Sequence, residues 1–378
     1  MTITISPVLT EADKGSFYNF AWDIYRQDHN WVPHLWPQKK NYLDHKAAFF
    51  TYGEGEFWIA KQGKQVVGTL GTAIDHSRNQ FRNQRAAFFG FFEVIPEGYE
   101  VACALWDHAC QWGQAHSMTE LLGPYSFSVN DDPGFLIEGF EYSPAIMMGH
   151  NPHYYATFAE RYGFLPMHDG LAYRFDLASI QFDIKNGPEI IHHIAARSRL
   201  RHGDAVIRSP SMKDWDVEIE RLLAVYNKSL AVLSEFSPLE LAEFRSLADS
   251  LKSVIDPDLV FVVEVDGKPV GFGLGLPNIN DALIYAHGLR YPWDYLRFVL
   301  AQRKIRSASF KILAIDPDYW GYGLESLMFL EMGKVLIRKG YTWIDASLTG
   351  DNNPQTNKLA TRLGAYPYRR YREYRLPL

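Results

Sequence analysis

"GKPVGFGLG", residues 267–275, decides the reading of this chain, because the chain contains it twice. "GKQVVGTLG" starts at Gly63, 204 positions earlier. Each copy follows an apolar run of β type, "FWIAK" at 57–61 and "FVVEV" at 261–265, so each reads as a hairpin with a glycine-containing turn. A second matched pair lies downstream: "NPHYYATFAERYGF" starts at Asn151 and "NPQTNKLATRLGA" at Asn353, an offset of 202. Between these anchors each half has a strand, a proline and a long helix. They are "AAFFGFFEVIP" followed by 99–116, and "FKILAIDP" followed by 323–339. Pro96 and Pro317 are 221 apart, so the second half carries extra residues before this point, near "RYPWDYLRFVLAQRKIRSA". The first half recovers them near "SFSVNDDPGFLIEGFEYSPAIMMG". Landmarks in the same order imply a duplicated unit of hairpin, third strand, helix, strand, helix and final strand. The expected fold is α/β with mixed sheets, in two tandem units at 1–178 and 205–378 joined by a polar linker at 179–204.

Composition sets the bounds. The 378 residues suffice for two domains, and 47% hydrophobic against 22% charged residues excludes wholesale disorder. The net charge of −6 lacks the basic excess of a nucleic-acid binder, so no nucleic-acid partner is expected. Cys103 and Cys110 lie about 10 Å apart along one helix, too far for a bridge within it, and a reduced, cytoplasmic protein is the simpler expectation. "MTITISPVLTEADKGSF" has no basic region followed by an apolar run. Apolar runs such as "AAFFGFF" fall far short of the ~20 residues of a membrane span, so no transmembrane segment is expected.

The order of strand, proline, glycine loop, helix, strand, Asn-led helix and Gly-aromatic turn resembles the GNAT superfamily of acyl-CoA N-acyltransferases. The whole chain is similar to bacterial tandem-GNAT proteins, on "IYRQDHNWVPHLWP" (24–37), "FFGFFE" (88–93), "LLGPYSFSVNDDPGFLIEGFE" (121–141) and "GFGLGLPNIND" (271–281). Some of that group resemble acyl-CoA-dependent bacterial ceramide synthases. The resemblance implies acetyl-CoA or a longer acyl-CoA as co-substrate and a small-molecule or lipid amine as acceptor. It places acyl transfer where "FKILAI" and "TWIDASL" splay apart, with backbone groups of Leu313 and Ile315 on the pantetheine arm. Asn353 would bind the pantetheine or the departing sulfur. The tyrosine that such enzymes use to protonate the thiolate is replaced by Ala360, and by Ala159 in the first half. Tyr366, Tyr368 and Tyr371 lie nearby, and Tyr366 is taken as the candidate acid.

The loop "IDPDYWGYGLESLM" (315–328) is the candidate pyrophosphate site. Such a loop needs backbone N–H groups converging at a helix N-terminus, and glycines that reach φ > 0. Gly321 and Gly323 supply them, with Trp320, Tyr322 and Leu324 completing the loop. Trp320 stands where a cation is expected, and Glu325 falls in the first helical turn, where it suits the helix dipole but repels a phosphate. The first-half counterpart, "VIPEGYEVACALW", keeps the helix, with Val101, Leu105, Ala109 and Trp112 on one face, but lacks the glycine pair. Glu97 and Glu100 stand at its start, so no cofactor is expected there.

An amine acceptor needs a base. Glu93, Asp281 and Asp345 are the candidate carboxylates. Glu93 ends an aromatic strand, where burial raises a carboxyl pKa. His287 is a further candidate proton acceptor by its ordinary pKa, although a lone strand histidine is more often a satisfied core group. Ser126, Ser128 and Asn130 alternate in "GPYSFSVNDD" and would line an acceptor pocket between the halves. No His/Cys cluster has metal-ligand spacing. The expected activity is an acyl-CoA-dependent N-acyltransferase with its cofactor in the second unit. The alternatives are a non-catalytic ligand-binding or regulatory protein of the same fold and a Fem-like aminoacyl transferase.

Overall fold

The computed structural model describes residues 2–127, 133–178, 205–232, 238–252 and 254–378, with His193, Ala195 and Ala196. The expected linker therefore lies almost wholly outside the described residues. The first half contributes strands β1 (Ile3–Pro7), β2 (Gly53–Gln62), β3 (Gln65–Asp75), β4 (Ala86–Val94), β5 (Glu120–Gly123), β6 (Phe135–Glu138) and β7 (Leu165–Asp176). The second contributes β8 (Val206–Arg208), β9 (Val260–Val265), β10 (Lys268–Pro277), β11 (Ser307–Ile315), β12 (Trp343–Gly350) and β13 (Tyr366–Pro377). Both expected hairpins form, β2–β3 and β9–β10, and Gly63 and Gly267 turn them at φ 62° and 70°.

One mixed sheet runs through the molecule in the order β1-β2-β3-β4-β5-β13-β7-β12-β11-β10-β9-β8, with β6 also on β13. The order is the same unit read inward from both ends. The last strand of each half is exchanged: β13 lies against β5 of the first half, and β7 lies against β12 of the second. The two exchanged strands pair with each other at the centre. Among the described residues only β4–β5 and β11–β12 are parallel; the remaining pairs are antiparallel. The duplication is exact enough to repeat single bonds. Thr119 N–H donates to Arg85 O at 2.7 Å, and Thr342 N–H to Arg306 O at 2.8 Å.

Apart from Glu93, strand β4 is apolar because both of its faces are covered. Phe89 and Phe92 pack beneath the helix Tyr99–Ala115 with Leu105 and Trp106, while Phe88 packs on the opposite face with Phe17 and Phe57. The expected face of that helix, Val101, Leu105, Ala109 and Trp112, is buried. In the second half the helix Leu324–Lys339 covers β9 and β11, burying Leu324, Leu327, Met328 and Leu336 against Val263 and Ile315. The extra residues of the second half lie between β10 and β11 and include the helix Pro292–Ala301.

Candidate active site

Strands β11 and β12 pair from Ser307↔Trp343 to Phe310↔Ala346 and then part, although β11 runs on to Ile315 and β12 to Gly350. The first half has the same fork, Ala86↔Glu120 to Phe88↔Leu122, but it is plugged. There the Tyr125 N–H donates to Phe89 O at 2.9 Å, and a Cβ on Gly90 would lie 1.6 Å from the Tyr125 carbonyl oxygen. Only glycine lets the chain close so far. By the shared register Gly90 corresponds to Lys311, whose side chain reaches across the second fork to Ser347 and Asp345.

The second fork holds a buried polar cluster. Asp345, on β12, is fully buried and receives four donors. The Lys311 ammonium lies 3.3 Å from its Oδ2, the Ser347 hydroxyl 2.6 Å from Oδ2 and the Tyr368 hydroxyl 3.0 Å from Oδ1; the Ser309 hydroxyl also bonds Oδ2. Lys311 donates in turn to Ser347 Oγ at 2.7 Å. Ser309 and Lys311 both reach Asp345, Lys311 as the extra residue of a bulge opposite Leu274 and Gly275, and Ser307 shares the face of Ser309 by the two-residue period of a strand, so the polar line continues to it. There Asp281 accepts from the Ser307 hydroxyl at 2.9 Å and the Arg306 N–H at 3.1 Å. Burial first, and the Asp345 carboxylate second, hold the Tyr368 hydroxyl well above its ordinary pKa. The polar side chains at the fork of the first half are absent: Phe88, Gly90 and Leu122 take the places of Ser309, Lys311 and Asp345.

Beyond the fork, Gly321 and Gly323 adopt φ of 77° and 79°, and Gly323 caps the N-terminus of the helix Leu324–Lys339. The first half has Gly98 at the same place with an ordinary φ of −93°. Trp320 is half-exposed, and its indole N–H donates to Ile315 O at 2.8 Å, so that carbonyl already has a donor. Leu313 is half-buried, Tyr322 is exposed and Leu324 belongs to the core. Lys228 is held between Asp316 and Asp318 at 2.7 and 2.6 Å. The loop thus offers backbone N–H groups at a helix end, which suits a pyrophosphate, without a cation of its own at position 320.

Glu93 occupies a second site, a narrow recess between β4, the helix Glu11–Ile24 and residues 31–39, lined by Tyr18, Trp22, Trp31, His34 and Lys39. Its carboxylate accepts from the Tyr155 hydroxyl at 2.7 Å and the Tyr25 hydroxyl at 3.0 Å. Burial pushes its pKa up to about 7, against the pull of those hydroxyls and of Lys39. Burial also drives His34 down to about 3, which leaves that ring neutral. The recess and the fork are joined across the halves. Tyr25 Oη also lies 3.0 Å from His150 O, and buried Arg369 reaches His150 Nδ1 at 3.0 Å and Gly149 O at 3.2 Å. Its neighbour on β13 is Tyr368.

The other expected residues are placed as follows. Asn353 Oδ1 accepts from Thr356 N–H at 3.2 Å, with Pro354 next, as a helix N-cap. Tyr366 donates to Asp176 at 3.1 Å; the tyrosine at the cluster is Tyr368, because a bulge between Pro367 and Arg369 makes residue 368 the extra one and re-aims it. Ser126 is buried in the segment that plugs the first fork, and Ser128 and Asn130 lie outside the described residues. His287 stacks on Trp22, bringing the second half against the wall of the recess. Ala360 and Ala159 are both buried. Sequence reasoning missed Ser309, Lys311 and Ser347. The signal was present in "SASFKILAI", with polar residues at 307, 309 and 311 along an otherwise apolar strand.

Two units of this kind, each with a parallel fork beside a helix and joined by exchanged last strands, make the chain a tandem GNAT-fold protein. The tandem GNAT protein from the clavulanic acid biosynthesis pathway superposes over 100% of this chain and 98% of its own, with a TM-score of 0.59 at 13% identity. Two distant relatives match by sequence over nearly the full length. Protein YghO of Escherichia coli is 26% identical over 97% of this chain and 93% of its own, and the bacterial ceramide synthase of Caulobacter vibrioides is 29% identical over 98% and 97%. No family model matches.

Proposed function

We propose that the protein is an acyl-CoA-dependent N-acyltransferase that binds its thioester at the β11–β12 fork and takes a long-chain amine as acceptor. The observation that carries this reading is the contrast between the two forks. One is sealed by its own backbone; the other parts after Phe310 and is furnished with a buried cluster of Lys311, Ser309, Ser347 and Tyr368 around Asp345. The Caulobacter relative supports the acceptor class, since a ceramide is the N-acyl amide of a long-chain amino alcohol. In the reaction the amine nitrogen bonds to the acyl carbon, the C–S bond breaks, and the thiolate takes up a proton. Lys311 brings positive charge to the place where the oxyanion develops. Asp345, held by Ser309, Ser347 and Tyr368, positions it. Glu93, held by the Tyr25 and Tyr155 hydroxyls in the recess that Arg369 and His150 link to the fork, is the candidate base for the incoming ammonium. Gly321 and Gly323 present the backbone that would hold the pyrophosphate.

The alternative, a protein of this fold that binds ligand without turnover, is favoured by the Trp320 indole on Ile315 O. Melting curves with acetyl-CoA and palmitoyl-CoA separate the two, because a ligand bound only by the folded state raises the melting temperature. The expected result is a rise with palmitoyl-CoA and release of free thiol on adding a long-chain amino alcohol. Lys311→Met should lower that release about 100-fold, the usual loss for an oxyanion donor, while the melting shift persists. No shift with any acyl-CoA at saturation sinks the proposal; a shift without thiol release leaves the non-catalytic reading.

A further inference from the structure

The helix Pro292–Ala301, in the segment that the second half carries and the first lacks, turns its apolar side outward. It buries Asp294 and Ala301, with Phe298 half-buried, so those three positions form its inner face. Trp293, Tyr295, Leu296, Val299 and Leu300 are between 48% and 63% exposed. At 100° per residue these five cover the whole outer half of the helix. Single exposed leucines need no account, but a contiguous face of this kind does.

The charge around that face states what covers it. Between residues 282 and 306 stand Arg290, Arg297, Arg303, Lys304 and Arg306 against one carboxylate, Asp294, in a chain whose net charge is −6. Asp294 is turned inward, where it caps Tyr291 N–H at 2.9 Å and pairs with Arg297 at 3.2 Å. Arg303, Lys304 and Arg306 are exposed just past the helix end. Tyr291 stacks on Trp293 at 4.9 Å, so aromatic rings with polar edges lie at the start of the face and cations at its end.

We propose that this helix docks the protein on an anionic lipid surface. An apolar outer face, flanking Trp and Tyr, and a basic rim are the features by which a helix settles into the plane of a bilayer interface. Ten residues make about 15 Å, half of what a span requires, so the helix lies along the surface. Among the described residues no helix is long and apolar enough to cross a membrane. The docking surface does not depend on the reaction proposed above. It bears on it through position: the segment runs directly into β11, two residues before Ser309.

Flotation of the full chain with vesicles tests this. The protein should rise with vesicles containing phosphatidylglycerol, and at least tenfold less with phosphatidylcholine alone or in high salt. Leu296→Glu with Leu300→Glu should abolish flotation while the melting temperature is kept, because neither side chain supports the core. Arg303→Glu with Lys304→Glu should remove the preference for phosphatidylglycerol. Absence of flotation with every vesicle overturns the proposal, as does undiminished flotation of the double leucine variant. It is overturned equally if the wild type is a dimer in solution that the leucine variant converts to monomer, since the face then belongs to a second copy of the chain.

Discussion

Glu93 shows how a single side chain reports its surroundings. Its pKa is about 7 when folded and 4.5 in an ordinary environment, so the folded state holds a proton that the unfolded chain has already lost between those values. Stability from this group is complete below about pH 4.5 and falls as the pH rises through 7. Glu93→Gln keeps an acceptor for Tyr25 and Tyr155 without the buried charge. Urea unfolding should therefore show a variant more stable than the wild type at pH 8, by about 3 kcal/mol at most, with the difference gone at pH 4. Equal stability at both values would mean that the carboxyl is solvated. Glu93 and Asp345 were legible in the sequence because a carboxylate inside an apolar strand stands out. Their partners were not. Tyr25 and Tyr155 lie 68 and 62 residues from Glu93, and no local pattern joins them. Tyr368 was hidden by its bulge, which breaks the alternation that a reader of strands relies on.

At the scale of the element, the two forks show one backbone design with opposite outcomes. The hairpins, the long helices and the glycine pair at 321 and 323 were all readable, since turns and helix ends depend on local chemistry. That the first fork is sealed was not readable from the missing loop glycines, because the seal is made by Gly90 against Tyr125, with a whole helix and strand β5 between them in the chain. It leads to a sharp expectation. Gly90→Ala puts a methyl 1.6 Å from a carbonyl oxygen that cannot swing aside as a side chain tip would. The substitution should cost about 3 kcal/mol, measured as a lower urea midpoint with an unchanged slope. Gly63→Ala, with open space around the added carbon, pays only the strain of its left-handed turn and serves as the comparison. If both lose the same amount, the fork of the first half is not sealed as described.

For the whole molecule, the duplication was plain in the sequence but the exchange of last strands was not, because equal copies in series are compatible with two separate sheets. The exchange gives each half a strand that the other encodes. Chains 1–178 and 205–378, expressed separately, should each be poorly soluble, and mixing or co-expressing them should restore a soluble pair that elutes together on gel filtration. Two well-folded monomers would show that the central strands are dispensable. The same arrangement also governs the order of events during synthesis. Strand β5 ends at Gly123 and its partner β13 begins at Tyr366, about 240 residues later, so the edge of β5 leaves the ribosome long before anything exists to cover it. Closing a loop of that length is slow relative to local hairpins, and an unpaired edge invites other chains. Yield in the cell should therefore be limited by how long that edge is sheltered during translation, whatever the stability of the finished protein.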